Sequence, residues 1–146
     1  MKIKTTRFGE IEVSEKFIFD FSEPIIGYEK EKQFALIEHK ENSAFRWLQA
    51  VDFPEVAFVV TVPGFFGIDY SFELPETTQE TLGIKEAEDI LSLNIVVIPR
   101  ENPRKSTVNL LAPIIINIKN NKAGQIVLNS NDFPVDFPLF EKEAVC

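Results

Sequence analysis

The feature that most constrains the fold of this chain is an apolar stretch at 106–117, Ser-Thr-Val-Asn-Leu-Leu-Ala-Pro-Ile-Ile-Ile-Asn. Val108, Leu110 and Ala112 stand at every second position, which is the spacing of a β-strand. Pro113 then interrupts the strand, because proline has no backbone N–H to donate. The run that follows, 114–118, is largely apolar on both faces, and this predicts a strand that is buried on two sides.

A hairpin is expected directly after this buried strand. Residues 120–124, Asn-Asn-Lys-Ala-Gly, have the composition of a turn, and the return strand is predicted at 126–128. The strand, the proline, the buried strand and the hairpin together predict the nucleus of an all-β domain.

Further strand patterns occur at short spacing along the chain. A first hairpin is expected to turn at Gly9, and phenylalanines alternate with other residues at 17–21. The other predicted strands lie at 34–38, 45–51, 57–62, 69–74 and 90–98. About ten strands at this spacing predict an all-β fold, either a small antiparallel β-barrel-like domain or a sandwich.

One short helix is predicted near 76–82. Gly83 stands where the C-terminal cap of such a helix would fall. Thr77 and Glu80 have the spacing of a capping box, which would mark the beginning of the helix.

The C-terminal segment, 129–146, is expected to be an irregular tail. Pro134 and Pro138 disfavour a regular strand there. The tail either runs along the barrel surface or stays partly mobile. At 146 residues the whole chain, 1–146, is predicted to form one domain.

The net charge of −8 limits the kinds of partner that the chain can bind. It argues against direct binding of nucleic acid, which needs clustered lysine and arginine. It permits a basic protein partner, whose approach the field would steer, and the alternative is that it serves only to keep the protein soluble. No apolar run reaches the roughly 20 residues of a membrane helix, and the N-terminus lacks a secretory signal. We therefore expect a cytoplasmic protein that does not bind membranes.

Side chains that carry catalysis or bind metals are scarce in this sequence. His39 is the only histidine, and Cys146 is the only cysteine and the last residue. A zinc site needs several such side chains, so we expect neither a metal nor another cofactor. His39 is interpreted as a solvated turn residue rather than as part of a catalytic triad. No enzymatic activity is expected, and the terminal thiol is interpreted as incidental.

A surface for protein docking is the remaining candidate. The sequence Gly-Phe-Phe-Gly at 64–67 puts two aromatic side chains in a predicted turn, and several carboxylates follow. Apolar anchors beside acids suit docking onto an apolar, basic protein surface. The predicted partner-binding residues are Phe65, Phe66, Asp69, Tyr70, Glu73 and Glu76. A second interpretation stays open, in which one of the two phenylalanines folds back into the core.

Four segments, in order along nearly the whole chain, carry a resemblance to a known family. They are 47–51 (Trp-Leu-Gln-Ala-Val), 57–60 (Ala-Phe-Val-Val), 69–75 (Asp-Tyr-Ser-Phe-Glu-Leu-Pro) and 109–117 (Asn-Leu-Leu-Ala-Pro-Ile-Ile-Ile-Asn). The chain resembles the FliW family of bacterial flagellar assembly factors. The chain departs from the family pattern in a short aromatic run at 63–67 and in a tail at 134–139 without basic residues.

The resemblance implies a non-enzymatic, barrel-like protein that acts through protein partners. FliW-like proteins bind flagellin, and they also bind the RNA-binding translational repressor CsrA and relieve its repression of flagellin synthesis. The resemblance thus implies flagellin and CsrA as partners of a cytoplasmic factor, which we expect to be a monomer when free. The 14 phenylalanines leave one alternative, a β-barrel that holds a small apolar ligand.

Overall fold

The computed structural model describes residues 1–129 and 131–140. Within these ranges the chain forms one α-helix, α1 (Glu76–Leu82), and eleven strands, together with short 3₁₀ turns. The strands are β1 (Lys2–Thr5), β2 (Gly9–Glu12), β3 (Ile18–Glu23), β4 (Gln33–Ile37), β5 (Phe45–Ala50), β6 (Ala57–Thr61), β7 (Ile90–Val97), β8 (Thr107–Val108), β9 (Ile114–Asn117), β10 (Lys122–Gln125) and β11 (Phe137–Pro138).

Seven of these strands close into a barrel. The order around the barrel is β7, β6, β5, β4, β3, β10 and β9, and β9 pairs back onto β7. The prediction of an all-β, barrel-like fold is confirmed. The barrel is not purely antiparallel, however, since β10 runs parallel to β3. A closed ring of seven strands cannot alternate direction throughout, so at least one neighbouring pair must be parallel.

Four strands lie outside the barrel. β1 and β2 form a separate antiparallel hairpin in which Gly9 adopts a positive φ of 69°. β8 pairs with the far end of β7, and β11 pairs with β8. Pro138 lies in β11 at the edge of the sheet, where a missing N–H costs no ladder hydrogen bond. The tail thus contains a short strand that its prolines did not predict.

Side chains from the barrel strands fill its interior. Phe34, Leu48, Val60 and Ile114 are fully buried and belong to one cluster. The ring of Phe34 meets that of Phe21 edge-on, with 5.0 Å between the centroids. This cluster is the main core of the molecule.

The central strand β9 is buried on both of its faces, as the apolar run predicted. Ile114 and Ile116 point into the barrel cluster, whereas Ile115 packs with Leu82 at the end of α1. All three isoleucines are fully buried. Ile118, which was expected to continue the strand, lies beyond its end and is 53% exposed.

The return strand begins earlier than predicted, so the prediction of a strand at 126–128 is wrong. β10 occupies 122–125, and Lys122 already pairs with Asn117. Asn121 has a φ of 60°, a left-handed conformation that asparagine tolerates better than most residues. Its side-chain amide also donates to the carbonyl of Ile18 at 2.9 Å. The turn therefore closes at Asn121 and leaves Gly124 inside the strand.

The prediction of a strand at 69–74 is also wrong. This segment forms no strand ladder in the described structure. Tyr70, Phe72 and Leu74 nevertheless pack against the cluster that contains Leu82. The alternation of apolar and polar residues reflects one-sided packing on the barrel and not strand pairing.

The helix α1 is confirmed at 76–82, and its predicted end is confirmed as well. Gly83 has a φ of 67° and its N–H bonds to the carbonyls of Gln79 and Glu80. The predicted capping box is wrong, because the helix begins after Pro75 without a side-chain cap. The carbonyl of Leu82 accepts amide hydrogen bonds from Asn117 and Asn120, both at 2.9 Å. These bonds tie the end of the helix to the barrel.

Candidate partner-binding surface

The loop after β6 exposes one of its two phenylalanines and buries much of the other. A 3₁₀ turn at Pro63–Phe66 ends at Gly67, whose φ of 74° reverses the chain. Phe65 is 67% exposed. The ring of Phe66 lies 5.5 Å from that of Phe45 and packs inward. Phe66 therefore folds back against the core, as the second interpretation expects, whereas the role of Phe65 in docking stays a prediction.

Tyr70 anchors the loop through its hydroxyl group. The hydroxyl donates to the carbonyl of Leu110 at 2.6 Å and accepts from Nδ2 of Asn94 at 3.3 Å. Asn94 is fully buried and also donates to the carbonyl of Asn109 at 2.9 Å. Burial of the phenol raises the pKa of Tyr70 above its ordinary value of 10.0. Tyr70 therefore supports the surface from beneath.

The carboxylates predicted for the surface are exposed and lie in the most acidic part of the chain. Asp69, Glu73 and Glu76 are exposed side chains. Residues 69–89, which we call the acidic segment, carry seven acidic residues and one basic residue, whereas the remainder carries 16 and 14. The acidic segment thus supplies six of the eight net negative charges. Most of the net negative charge is therefore carried by one stretch of the sequence, which includes α1.

Crowding of carboxylates is strongest at the end of the acidic segment. A hydrogen bond with Glu88, followed by the charge of Asp89, raises the pKa of the Glu86 carboxyl. Asp89 itself is buried and pairs with Lys119 at 3.8 Å. The carboxylates closest to the loop, Asp69 and Glu73, are separated from this crowded end by α1 in the sequence.

The C-terminal tail forms the second wall of a cleft beside the loop. This loop–tail cleft has a volume of about 560 Å³ and lies between residues 66–69 and 132–140. Phe66, Ile68, Phe133 and Phe137 line its apolar part, and the residues that line it include the acids Asp69 and Asp132. Sequence reasoning missed the tail residues, because no local pattern indicates that they meet a loop so distant along the chain.

Backbone hydrogen bonds hold the tail in place. The N–H of Leu110 donates to the carbonyl of Pro134 at 3.0 Å, and the N–H of Leu139 donates to Ser106 at 3.0 Å. The ring of Phe133 meets that of Tyr70 edge-on at 5.3 Å. Leu110 therefore links both walls, since its carbonyl receives the Tyr70 hydroxyl and its N–H binds the tail.

A second depression is lined mainly by residues from the segments 25–28, 109–112 and 125–127. This uncharged groove has a volume of about 380 Å³, and none of the described residues that line it is charged. Ile26, Val127 and Val135 line it and are each more than half exposed. Its amide side chain Gln125 already accepts from the N–H of Ile26 and donates to the carbonyl of Ala112.

The remaining residues that the sequence analysis considered are His39, possible metal ligands and Cys146. His39 is exposed, and its ring lies 4.8 Å from that of Phe8. Among the described residues no three metal-ligating side chains come together, and no helix there is long and apolar enough to cross a membrane. Cys146 and the rest of 141–146 lie outside the described residues.

Comparison with known proteins shows what this chain is similar to. Residues 2–139 match the FliW protein family. The flagellar assembly factor FliW of Caldanaerobacter subterraneus is 38% identical over 97% of this chain and 95% of that protein. That of Thermoanaerobacter pseudethanolicus is 41% identical, with the same coverage of 97% and 95%.

The fold agrees with this comparison. A crystal structure of the flagellar assembly factor FliW superposes with a TM-score of 0.89 at 31% identity, and it covers 99% of this chain and 100% of that chain. The class of protein is therefore a flagellar assembly factor with a β-barrel fold. This chain belongs to the FliW family.

Proposed function

We propose that this chain binds flagellin and the translational repressor CsrA in alternation, and thereby couples the synthesis of flagellin to its secretion. The observation that carries the proposal is the match to the FliW family over residues 2–139. In the proposed cycle, cytoplasmic flagellin occupies the factor and leaves CsrA free to repress. Secretion of flagellin makes the factor available again, and it then removes CsrA from its messenger.

The charge distribution supports a basic partner. A protein that binds RNA presents lysine and arginine to the phosphates, so its surface is basic. The acidic segment carries a net charge of six negative units, which would steer such a protein towards it. The proposal requires neither a cofactor nor direct contact between this chain and RNA.

The predicted site residues take two different roles in this proposal. Phe65, Asp69, Glu73 and Glu76 are exposed and contact the partner directly. Phe66 and Tyr70 pack inward and hold the loop that presents them. This division refines the sequence prediction, which treated all six side chains as contacts.

Separate titrations of each partner test the proposal. CsrA and flagellin, each purified alone, are titrated into the free protein and followed by calorimetry. The proposal predicts saturable, stoichiometric binding of each one to a monomer. If neither protein binds at micromolar concentration, the proposed function is wrong.

The alternative of a small apolar ligand has weaker support. Side chains fill the barrel interior, and Phe34 and Leu48 are fully buried there. The uncharged groove, about 380 Å³ in volume, is one place on the surface that suits such a ligand, because none of the described residues that line it is charged. Native mass spectrometry of the protein purified from its own cells distinguishes the two functions, because a carrier would retain a bound molecule.

A further inference from the structure

The uncharged groove brings together exposed apolar side chains from separate parts of the chain. Ile26 follows β3, Val127 follows β10 and Val135 belongs to the tail, and each is more than half exposed. Phe58 of β6 and Ile95 of β7 also line the groove. An exposed apolar surface to which distant segments contribute is typical of a site of protein contact.

The wall of the groove at 109–112 has few hydrogen-bonding groups to offer an occupant. Oδ1 of Asn109 accepts the N–H groups of Leu111 and Ala112, both at 3.0 Å. The carbonyl of Leu111 accepts from the N–H of Leu128 at 2.8 Å, and the carbonyl of Ala112 accepts from Nε2 of Gln125 at 3.1 Å. These groups are already bonded within the chain, so apolar contact is what this wall provides.

We infer that the uncharged groove binds the apolar face of a helix that belongs to flagellin. An extended segment binds by adding to a strand edge, which requires unpaired backbone groups that the wall at 109–112 does not provide. A helix forms its own backbone hydrogen bonds and needs only an apolar surface on which to lie. A charged side chain in the groove would lose water without gaining a partner, so the bound face is uncharged.

The charge distribution assigns the groove to flagellin rather than to CsrA, and this step rests on the proposed function. None of the described residues that line the groove belongs to the acidic segment at 69–89, and none is charged. The basic surface of an RNA-binding protein would find no carboxylate among them, whereas the acidic segment is complementary to it. Of the two proposed partners, flagellin is therefore the one that the groove fits.

The groove and the acidic segment adjoin each other through the wall at 109–112. The carbonyl of Leu110 accepts from the hydroxyl of Tyr70 at 2.6 Å, and the neighbours Asn109 and Leu111 line the groove. The tail makes a second connection, because Val135 lines the groove and the ring of Phe133 packs on that of Tyr70. A whole protein docked in the groove would then obstruct a second protein at the acidic segment, so alternation needs no shared contact residue.

The test compares the same substitution at two exposed isoleucines. Ile26 lines the groove and is 62% exposed, whereas Ile118 is 53% exposed and does not line it. Ile26→Asp and Ile118→Asp each change the net charge from −8 to −9, because each adds one negative charge. Calorimetric titration with purified monomeric flagellin should show at least about tenfold weaker binding for Ile26→Asp and less than about twofold for Ile118→Asp. Val127→Asp, at a groove residue that is 57% exposed, should match Ile26→Asp.

Lysine at the same two positions separates the groove from the net charge. Ile26→Lys and Ile118→Lys each change the net charge from −8 to −7. Ile26→Lys should also weaken flagellin binding, by about fivefold or more, because the groove compensates neither sign of charge. Titration of CsrA into all five variants should give affinities within about twofold of wild type. Thermal unfolding shows whether each variant is folded.

The outcomes separate this inference from the proposed function. If wild-type protein binds flagellin and the groove variants bind it as tightly as the Ile118 variants, the inference is overturned. Groove variants that lose CsrA binding and keep flagellin binding also overturn it. Wild-type protein that binds no flagellin contradicts the proposed function itself.

Two further measurements test other occupants of the groove. Self-association in sedimentation velocity that Ile26→Asp abolishes would assign the groove to a second copy of this chain. A small molecule that native mass spectrometry finds on wild-type protein but not on Ile26→Asp would assign it to a ligand. Either result overturns the inference.

Discussion

At the scale of single residues, the hydroxyl of Tyr70 connects the candidate surface to the barrel. It donates to Leu110 at 2.6 Å and lies near the buried amide of Asn94. Removing one partner of a buried hydrogen bond typically costs more than the bond is worth, because the other group stays unsatisfied. The Tyr70 phenol therefore helps to hold the loop in position, together with the inward-packed ring of Phe66.

Replacing this tyrosine gives the first prediction. Tyr70→Phe should lower the free energy of unfolding by about 1–2 kcal/mol, since the carbonyl of Leu110 loses its donor. Tyr28→Phe is the matched control, because Tyr28 is the other tyrosine of the chain and is partly exposed at 37%. Urea denaturation measures both variants. Equal stability of the two variants would contradict the anchoring role.

The same hydroxyl predicts how stability depends on alkaline pH. Burial raises the pKa of Tyr70 above 10.0, so the folded state holds this proton more tightly than the unfolded state does. Above pH 10 the unfolded state binds fewer protons, and the free energy of unfolding therefore falls as the pH rises. Tyr70→Phe should lose less stability than wild type between neutral pH and pH above 10. Parallel unfolding curves across this range would contradict the prediction.

At the scale of elements, β9 and β10 close the barrel, and β9 also packs against the end of α1. β10 runs between β9 and β3, and its pairing with β3 is irregular between Ala123 and Gly124. At Gly124 a Cβ atom would lie 2.7 Å from Cβ of Glu23, a distance that real Cβ contacts do not reach. The close approach of two backbones explains why glycine stands inside this strand.

Gly124→Ala should therefore destabilise the fold. The added methyl group must displace Glu23, and overpacking of this kind costs about 1–3 kcal/mol. Gly64→Ala is the control, because a Cβ at Gly64 meets nothing within 4 Å and its φ is not positive. Thermal unfolding should show a clear loss for the first variant and little change for the second. A neutral Gly124→Ala would mean that β10 and β3 lie further apart than described.

The central strand allows a stronger test of the core. Ile115 is fully buried between the barrel and the end of α1, so Ile115→Asp places an uncompensated charge in an apolar environment. This variant should fail to fold cooperatively at neutral pH. Ile118→Asp, three positions later and 53% exposed, should change stability by less than about 0.5 kcal/mol. Circular dichroism melts compare the two, and a folded Ile115→Asp would show that β9 is misplaced.

Some elements could be predicted from sequence and others could not, for physical reasons. β9 was predictable because burial on two faces requires a continuous apolar run. The segment 69–74 misled the prediction, because alternation reports one buried face and does not report a hydrogen-bonded neighbour. β10 begins earlier than predicted because Asn121, in a left-handed conformation, closes the turn. The composition of the turn does not determine which residue adopts that conformation.

Part of the candidate surface could likewise be predicted from the sequence, and part could not. The exposed carboxylates and Phe65 could be proposed from local sequence, since charged and aromatic residues cluster there. The tail wall of the cleft could not, because the pairing of Phe137 with Val108 brings it to the loop. Tertiary pairing of this kind leaves no local pattern, so the partner of a loop is found only in three dimensions.

At the scale of the whole molecule, the residues that form the core and the residues that carry most of the net charge are different sets. The barrel interior is apolar and filled, and six of the eight net negative charges come from the acidic segment at 69–89. An adaptor that must meet a basic partner quickly gains from such an arrangement, because the field steers the encounter without any contribution from the core. In the proposed function, the fold supports the contacts that are exchanged between the two partners.

Two double charge-reversal variants test whether the acidic segment contributes to binding of the basic partner. Asp69→Lys with Glu73→Lys should weaken CsrA binding at least about tenfold and reduce its dependence on salt, because like charges then face the basic partner. Asp52→Lys with Glu55→Lys is the control, since both side chains are exposed and lie outside the acidic segment. Each double variant changes the net charge from −8 to −4. Equal effects of the two pairs would mean that the acidic segment only contributes to solubility.

In the proposed cycle, one partner excludes the other from this protein. The most direct measurement is a calorimetric titration of CsrA into this protein, first alone and then with saturating flagellin. We expect saturable binding that flagellin abolishes or weakens by at least about a hundredfold, within the range of known coupling energies. CsrA binding that is unchanged by saturating flagellin would contradict the proposed cycle, because the two partners would then occupy independent sites and no exchange could couple synthesis to secretion.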